Sequence, residues 1–307
     1  MLAVSLALIS AAAYGSADFL VGLAARRSSA IQANLVVYAA GTLALAVCAP
    51  FSRSAPTGGS LAWGGIAGAG CGAGAVFLAA GFRRAQFGVA GPLSAVIGAA
   101  LAAIAGIWAG NRPGAWAWAG LLLALPAIAV VSAGPAPAGA RGACRFAGVG
   151  CGAAAGVGCA VSLVALGEAG AAAGIWPALA AQASALVTIA GAAAMTGDLK
   201  LPRPGIRLSG ASGMIGAVAA VVYVDAVHHG MLAIVAVVTS LFPVFTVGLA
   251  RALESERLGA ARLAGLALTL ASVSLIGVHG PLSGARAGPS TLRRPGDQIL
   301  DFNGRCG

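Results

Sequence analysis

The chain has 307 residues, of which 59% are hydrophobic and only 8% charged, with a mean hydropathy of +0.94. A soluble domain of this size carries roughly 25% charged residues, so an ordinary soluble fold is excluded. The net charge of +10 comes from 17 Arg and one Lys against eight acids. Those arginines sit at the ends of apolar segments, as snorkelling and the positive-inside rule require, not in a patch that would bind nucleic acid.

Ten apolar stretches of bilayer-crossing length follow in order. The first is about Leu2 to Leu23, closed by Arg26 and Arg27, and the second Ile31 to Pro50, followed by a polar loop to Ser60. The third runs from Leu61 to Phe82, ending at Arg83 and Arg84. The fourth is Gly88 to Ala109, stopped by Asn111, Arg112 and Pro113, and the fifth is Ala115 to Ala133. A Gly/Pro/Ala linker over 135–142 marks the midpoint. The sixth is Cys144 to Leu166 and the seventh Ile175 to Met195; the eighth is Leu208 to Val227, the ninth Met231 to Leu253 and the tenth Gly259 to Val278. Residues 280–307 are Gly-, Pro- and Arg-rich and read as a disordered tail. The opening ten residues lack a basic leader and read as the start of the first span rather than a cleaved signal.

These runs are continuous and twice the length of barrel strands, and lipid demands that backbone groups be paired within each segment. The expected fold is therefore an all-α integral membrane protein with ten transmembrane helices. Sliding the chain by 145 positions lays spans four and five on spans nine and ten without a gap. Asn111-Arg112 then meets Glu256-Arg257, Arg84 meets His229, Ser94 meets Thr239, and Gly120 meets Gly265. Five spans per unit is an odd number, so the second unit enters the membrane in the opposite sense. This predicts two inverted five-helix repeats, 1–134 and 143–279, with a site between them near the midplane.

Glycines recur every four positions at Gly64, Gly68 and Gly72 in the third span and at Gly148, Gly152 and Gly156 in the sixth. Small residues at this spacing let helices approach closely. The six cysteines form no CxxC pair; Cys48, Cys71, Cys151 and Cys159 fall inside apolar stretches and read as packing residues, and no metal site is expected.

The stretch Tyr223 to Gly277 resembles the closing part of an EamA-type domain of the drug/metabolite transporter superfamily. Pro243, Glu256, Arg257 and Gly265 fill the places of a Pro-containing span, a Gly-Glu-Arg-like turn and a Gly early in the last span. Residues Ala11 to Arg27, AAAYGSADFLVGLAARR, are similar to that family's first helix. The sequence departs from the pattern at Asn111, where the usual acid is missing, at Ser255 before Glu256, and at Gly98, which stands where a proline opposite Pro243 is expected. The resemblance implies two five-helix repeats and a transporter of small metabolites or toxic compounds, many bacterial members being exporters.

Among candidate cavity residues, Asp18 is the most informative, because an acid inside an apolar span is costly and usually functional. It is the candidate for proton coupling; the alternative is an interfacial position within reach of the headgroups. Tyr14 lies one turn earlier on the same face. Asn34 and Tyr38 share a face of the second span, lining the cavity or bonding between helices. Ser94, Gln182, Tyr223 and Thr239 complete the candidate set. Tyr223, Asp225, His228 and His229 cluster at one span end and read as a water-facing terminus, with pH sensing or substrate contact as the sharper alternative. Trp63, Trp116, Trp118 and Trp176 near span ends read as an aromatic belt.

Loops after the odd-numbered spans hold 12 Arg or Lys, the opposite short loops only Arg53 and Arg112. The positive-inside rule makes the first set cytoplasmic and puts both termini outside, whereas the resemblance implies the reverse. No HExxH, GxSxG or phosphate loop is present, so neither an enzyme nor an ATP-driven pump is expected, and no cofactor. The expected partners are the bilayer and a small solute in a bacterial plasma membrane, with homo-oligomerisation open. A non-transporting scaffold or receptor is the alternative to a secondary exporter.

Overall fold

The computed structural model describes residues 2–254 apart from 53, 84–86, 111–114, 133–141, 171–173 and 200–204, together with the helical positions Ala264, Leu268 and Ala271. The linker, the tail, the turns at 111–113 and 255–257, and most of the tenth span therefore lie outside the described residues. What is described is all-helical. The helices are α1 (Leu2–Ala25), α2 (Ala30–Cys48), α3 (Gly58–Arg83), α4 (Phe87–Trp108), α5 (Ala115–Ser132), α6 (Gly142–Gly167), α7 (Trp176–Thr196), α8 (Ile206–His228), α9 (Leu232–Thr239) and α10 (Phe242–Glu254). Six of them, α1, α2, α3, α6, α7 and α8, contain stretches long and apolar enough to cross a membrane.

The ends are set by local chemistry. Ser29 caps α2, its hydroxyl accepting from the Gln32 N–H at 3.2 Å. Gly197 ends α7 at φ 73°, and the Asp198 N–H returns to the Ala193 carbonyl at 2.9 Å, a Schellman-type stop.

Contacts between the turns define two faces. On one, the α1–α2 turn meets the α7–α8 turn: the Ser29 hydroxyl donates to Asp198 Oδ2 at 3.2 Å, and Gly205 lies against Ala24. Arg26, Arg27, Arg83 and Arg207 belong to this arginine face. On the other, the Trp176 indole donates to the Ser54 carbonyl at 2.9 Å, and Ala3 touches Gly230. All five tryptophans of the chain (Trp63, Trp108, Trp116, Trp118 and Trp176) stand at helix ends on this tryptophan face, Trp108 among the most exposed large side chains. The tryptophans are thus one-sided, and Trp108 stands with the other four.

The ninth span differs from its expected form. It is interrupted at Ser240–Leu241, one turn before Pro243, giving α9 and α10. Proline has no N–H to donate to the Thr239 carbonyl, and its ring crowds that group. The chain adjusts through tighter bonds, Leu241 N–H to Val238 O at 3.2 Å and Val244 N–H to Leu241 O at 3.0 Å. The Ser240 hydroxyl bonds back to Ala236 O at 2.8 Å. Helix α4, where Gly98 stands 145 positions before Pro243, passes through without a break.

The main apolar core sits toward the tryptophan face. It joins Ala7 of α1, Leu45 of α2, Ala102 of α4, Leu166 of α6, Ala178 of α7 and the α9 run Val235–Val238, all near the ends that meet there.

Candidate functional site

Helix α1 runs between its neighbours with each face assigned. Its Ser10 hydroxyl donates to Ala219 O of α8 at 2.9 Å, and Ser212 of α8 donates to Ala17 O at 2.7 Å. A quarter-turn or more away, Thr246 of α10 donates to Gly15 O at 3.0 Å. At 100° per residue, Ala7, Ala11, Tyr14, Asp18 and Gly22 fall between these two contact lines and so point inward.

Accessibility along this stripe changes monotonically. Ala7 and Ala11 are fully buried, Tyr14 is half-buried, and Asp18 and Gly22 are exposed. Gly22 has no atom within 4 Å of the place a Cβ would take. Yet Asp18 does not look outward. It lies close enough for its charge to act on Tyr14, Tyr38 of α2, Cys71 of α3 and Cys159 of α6. A carboxyl that is reached by solvent and flanked by α2, α3 and α6 lines a hollow. Along this stripe accessibility falls toward the tryptophan face and rises toward the arginine face.

The same neighbourhood gathers all three tyrosines of the chain. The Tyr38 hydroxyl and the Cys71 thiol hydrogen-bond at 3.1 Å, and Ser162 of α6 also bonds the Cys71 sulfur. Tyr223 of α8 is fully buried, donates to Leu163 O at 2.8 Å, and lies within electrostatic range of Tyr14 and Cys159. Tyr223 therefore closes the hollow from behind rather than facing it. It is also separated from Asp225 and His229, which form an exposed pair at 3.5 Å on the tryptophan face.

The remaining candidates are dispersed. The Asn34 amide donates back to Ala30 O at 2.8 Å, within its own helix. Gln182 is buried between α2 and α8, packed on Gly41, and its Oε1 has no partner among the described residues. Thr239 is buried at the α9–α10 break, its Oγ1 likewise without a partner among the described residues. Ser94 is half-buried in α4, and its carbonyl lies 2.9 Å from where a Cβ on Gly156 would stand. Gly64, Gly68 and Gly72 admit Pro177, Ala181 and Thr188 of α7, so α3 and α7 touch backbone to backbone. Gly156 packs on Ile97 of α4, Gly152 is buried, and the surroundings of Gly148 lie outside the described residues.

Cys71 and Cys159 are the members that the sequence reading passed over as packing residues. A signal existed: Cys159 stands 145 positions after Tyr14, the same offset that aligns spans four and five with nine and ten in the sequence. Among the described residues no group of three or more His, Cys, Asp or Glu could hold a metal ion.

The chain matches no family model, and no curated protein matches it. It is similar to a solved crystal structure whose description names no activity. The two superpose with a TM-score of 0.69 at 18% sequence identity, over 89% of this chain and 96% of the other. The fold is therefore one already seen experimentally.

Proposed function

We propose that this chain is a multi-pass secondary transporter of a bacterial plasma membrane. It exports a small, amino acid-like metabolite or a toxic compound by alternating access, in the manner of the EamA-type proteins it resembles. In this reading α1 to α8, the α9–α10 pair and a last helix are ten spans in two inverted repeats.

The packing supports the repeat. Exchanging each helix with the one five places away turns α1·α8 into α6·α3, α2·α8 into α7·α3, and α1·α9 into α6·α4, while α2·α7 and α4·α9 map onto themselves; every one of these pairs is in contact. A shift of 145 positions carries Ser10 to Ala155 and Gly74 to Ala219. Ser10 touches Ala219, and Gly74 touches Ala155. Units so related can rock about their shared interface and open either face in turn.

The single observation that carries the transport reading is the stripe on α1, closed at Ala7 and Ala11 and open at Asp18 and Gly22. A hollow reached from one face and sealed from the other by packed side chains is one end state of a carrier. By the positive-inside rule the open, arginine-rich face is cytoplasmic, so this is the loading state of an exporter. Asp18 is the proton-coupling group. A charged acid at a helix centre costs about 2.5–3.5 kcal/mol on insertion scales, and no hydrogen bond or ion pair offsets it among the described residues.

Cysteine accessibility tests this in right-side-out and inverted vesicles. Gly22→Cys is expected to react with an impermeant thiol reagent from the arginine face, above the background of the native thiols, while Ala7→Cys and Ala11→Cys stay protected. Equal labelling of Ala7→Cys and Gly22→Cys from that face would refute the one-sided hollow. In proteoliposomes, Asp18→Asn should abolish pH-dependent flux in a folded protein. Absence of any flux from folded wild-type protein, across a broad solute panel, favours the scaffold or receptor alternative.

A further inference from the structure

Away from the hollow, on the tryptophan face, a pocket of about 440 Å³ opens between the end of α2 and the last turns of α8. Cys48, Phe51 and Ser52 form one side, Ile175 before α7 a second, and Val221, Asp225 and His228 of α8 the third. Its volume lies within the ~300–1,000 Å³ usual for small-ligand sites. From Val221 to His228 is seven residues, or ~10 Å of helix. The headgroup layer on each side of a bilayer's hydrocarbon is only ~5–8 Å thick. The pocket therefore passes through that layer and ends against the upper acyl chains. Trp176, next to Ile175 and bonded to the Ser54 carbonyl, marks the level, since tryptophan favours the interface. Val47 of α2 and Val218 of α8, on the outer surface of the same helices, are more than half exposed and face lipid.

The rim carries the chemistry. His229 Nδ1 stands 2.9 Å from the Asp225 carbonyl and 3.5 Å from the Asp225 carboxylate. Its hydrogen goes to the nearer oxygen, so the exposed carboxylate keeps acceptor sites for another donor. A primary ammonium brings three N–H donors and a positive charge to such a group. A choline head brings the charge without a donor. A glycerol head brings hydroxyls on a lipid of net negative charge, which the carboxylate repels. In an ethanolamine phospholipid the phosphodiester follows two methylenes beyond the ammonium, where the pocket wall supplies the Ser52 hydroxyl and the His228 ring.

We propose that this pocket binds the headgroup of an ethanolamine phospholipid from the leaflet on the tryptophan face. The ammonium sits on the Asp225 carboxylate, and the first acyl carbons lie against Val221 and Phe51. A lipid so held lies across the contact between α2 and α8. The inference goes beyond the transport reading and needs only that the chain lie in a bilayer.

Cys48 is exposed and lines the pocket, so its reactivity reports occupancy. The full-length protein is placed in nanodiscs of phosphatidylcholine alone, or with part of it replaced by phosphatidylethanolamine or by phosphatidylglycerol. Modification of Cys48 by N-ethylmaleimide is followed by peptide mass spectrometry, with Cys71 inside the bundle as the control thiol. The ethanolamine lipid is expected to slow the Cys48 reaction severalfold, the other two lipids to leave it unchanged, and Asp225→Asn to abolish the protection. The rate at Cys71 should not follow the headgroup, and free phosphoethanolamine, which has no chains, should not protect Cys48. Equal Cys48 rates in the three bilayers would overturn the inference, as would protection that persists in Asp225→Asn. Equal protection by phosphatidylglycerol would do so too, assigning the headgroup to a cation such as Arg53, the neighbour of Ser52 in sequence. A parallel change at Cys71 would reduce the effect to a general one of the bilayer, and equal protection by free phosphoethanolamine would make the ligand a soluble amine; either result overturns the lipid site.

Discussion

Replacing Gly15 by Ala adds one methyl group at the tightest crossing of α1. A Cβ there would stand 2.5 Å from the Phe242 carbonyl oxygen, 2.6 Å from Phe245 Cβ and 3.0 Å from the Thr246 nitrogen. Two of these are backbone atoms, which cannot swing aside, and van der Waals contact needs ~3.5 Å, so α1 and α10 must part by ~1 Å. Overpacking of this kind costs about 1–3 kcal/mol. The parting also stretches the 3.0 Å bond from Thr246 to Gly15 O, worth ~0.6 kcal/mol inside a bilayer. Alanine's better helix propensity returns up to ~1 kcal/mol. Gly22→Ala, two turns on in the same helix, meets nothing within 4 Å and collects that propensity gain without the clash. The difference between the two variants is therefore the packing term, roughly 2–4 kcal/mol. Thermal unfolding in detergent, followed by a dye that reacts with thiols as they emerge, reads it directly, because Cys151 is buried and Cys71 and Cys159 are half-buried in the folded protein. Gly15→Ala should melt well below Gly22→Ala. Equal melting temperatures would refute the close α1–α10 crossing and, with it, the inward orientation of Tyr14 and Asp18.

Pro243→Ala restores an N–H able to reach the Thr239 carbonyl. Amide exchange over 240–244 should slow and solute flux should fall in a protein that remains folded; unchanged exchange would show that the interruption is not due to proline. Ser10→Ala removes a buried hydroxyl that ties α1 to α8 and should cost about 0.6–1.7 kcal/mol; a neutral effect in the same melting assay would argue against that contact. Asp225→Asn should leave stability within about 0.5 kcal/mol, because Asp225 and His229 are well exposed and such pairs contribute little; a large loss would mean the pair is buried in an assembly.

The sequence by itself placed the ends of α1 to α8 closely, but not the break at Ser240–Leu241. Apolar length and arginine punctuation are local features, readable without knowing what packs on what. Gly64, Gly68 and Gly72 of the third span lie against α7, while Gly70 and Gly74 of the same helix lie against α6, so the glycine period by itself does not say which neighbour each side meets. What the tertiary structure decided was direction. These helices are apolar nearly all round because lipid and protein neighbours are equally oily, so no hydrophobic stripe marks the inward face. Cys71 and Cys159 consequently looked like filler, and Tyr223 fitted both the cavity set and the cluster with Asp225, although all three lie within electrostatic range of Tyr14. Which end of the hollow is open, and that Asp18 stands in it, depend on contacts between residues about two hundred positions apart, such as Ser10 with Ala219 and Ser212 with Ala17. Local chemistry cannot encode those, because the register between helices is fixed only when side chains from both meet.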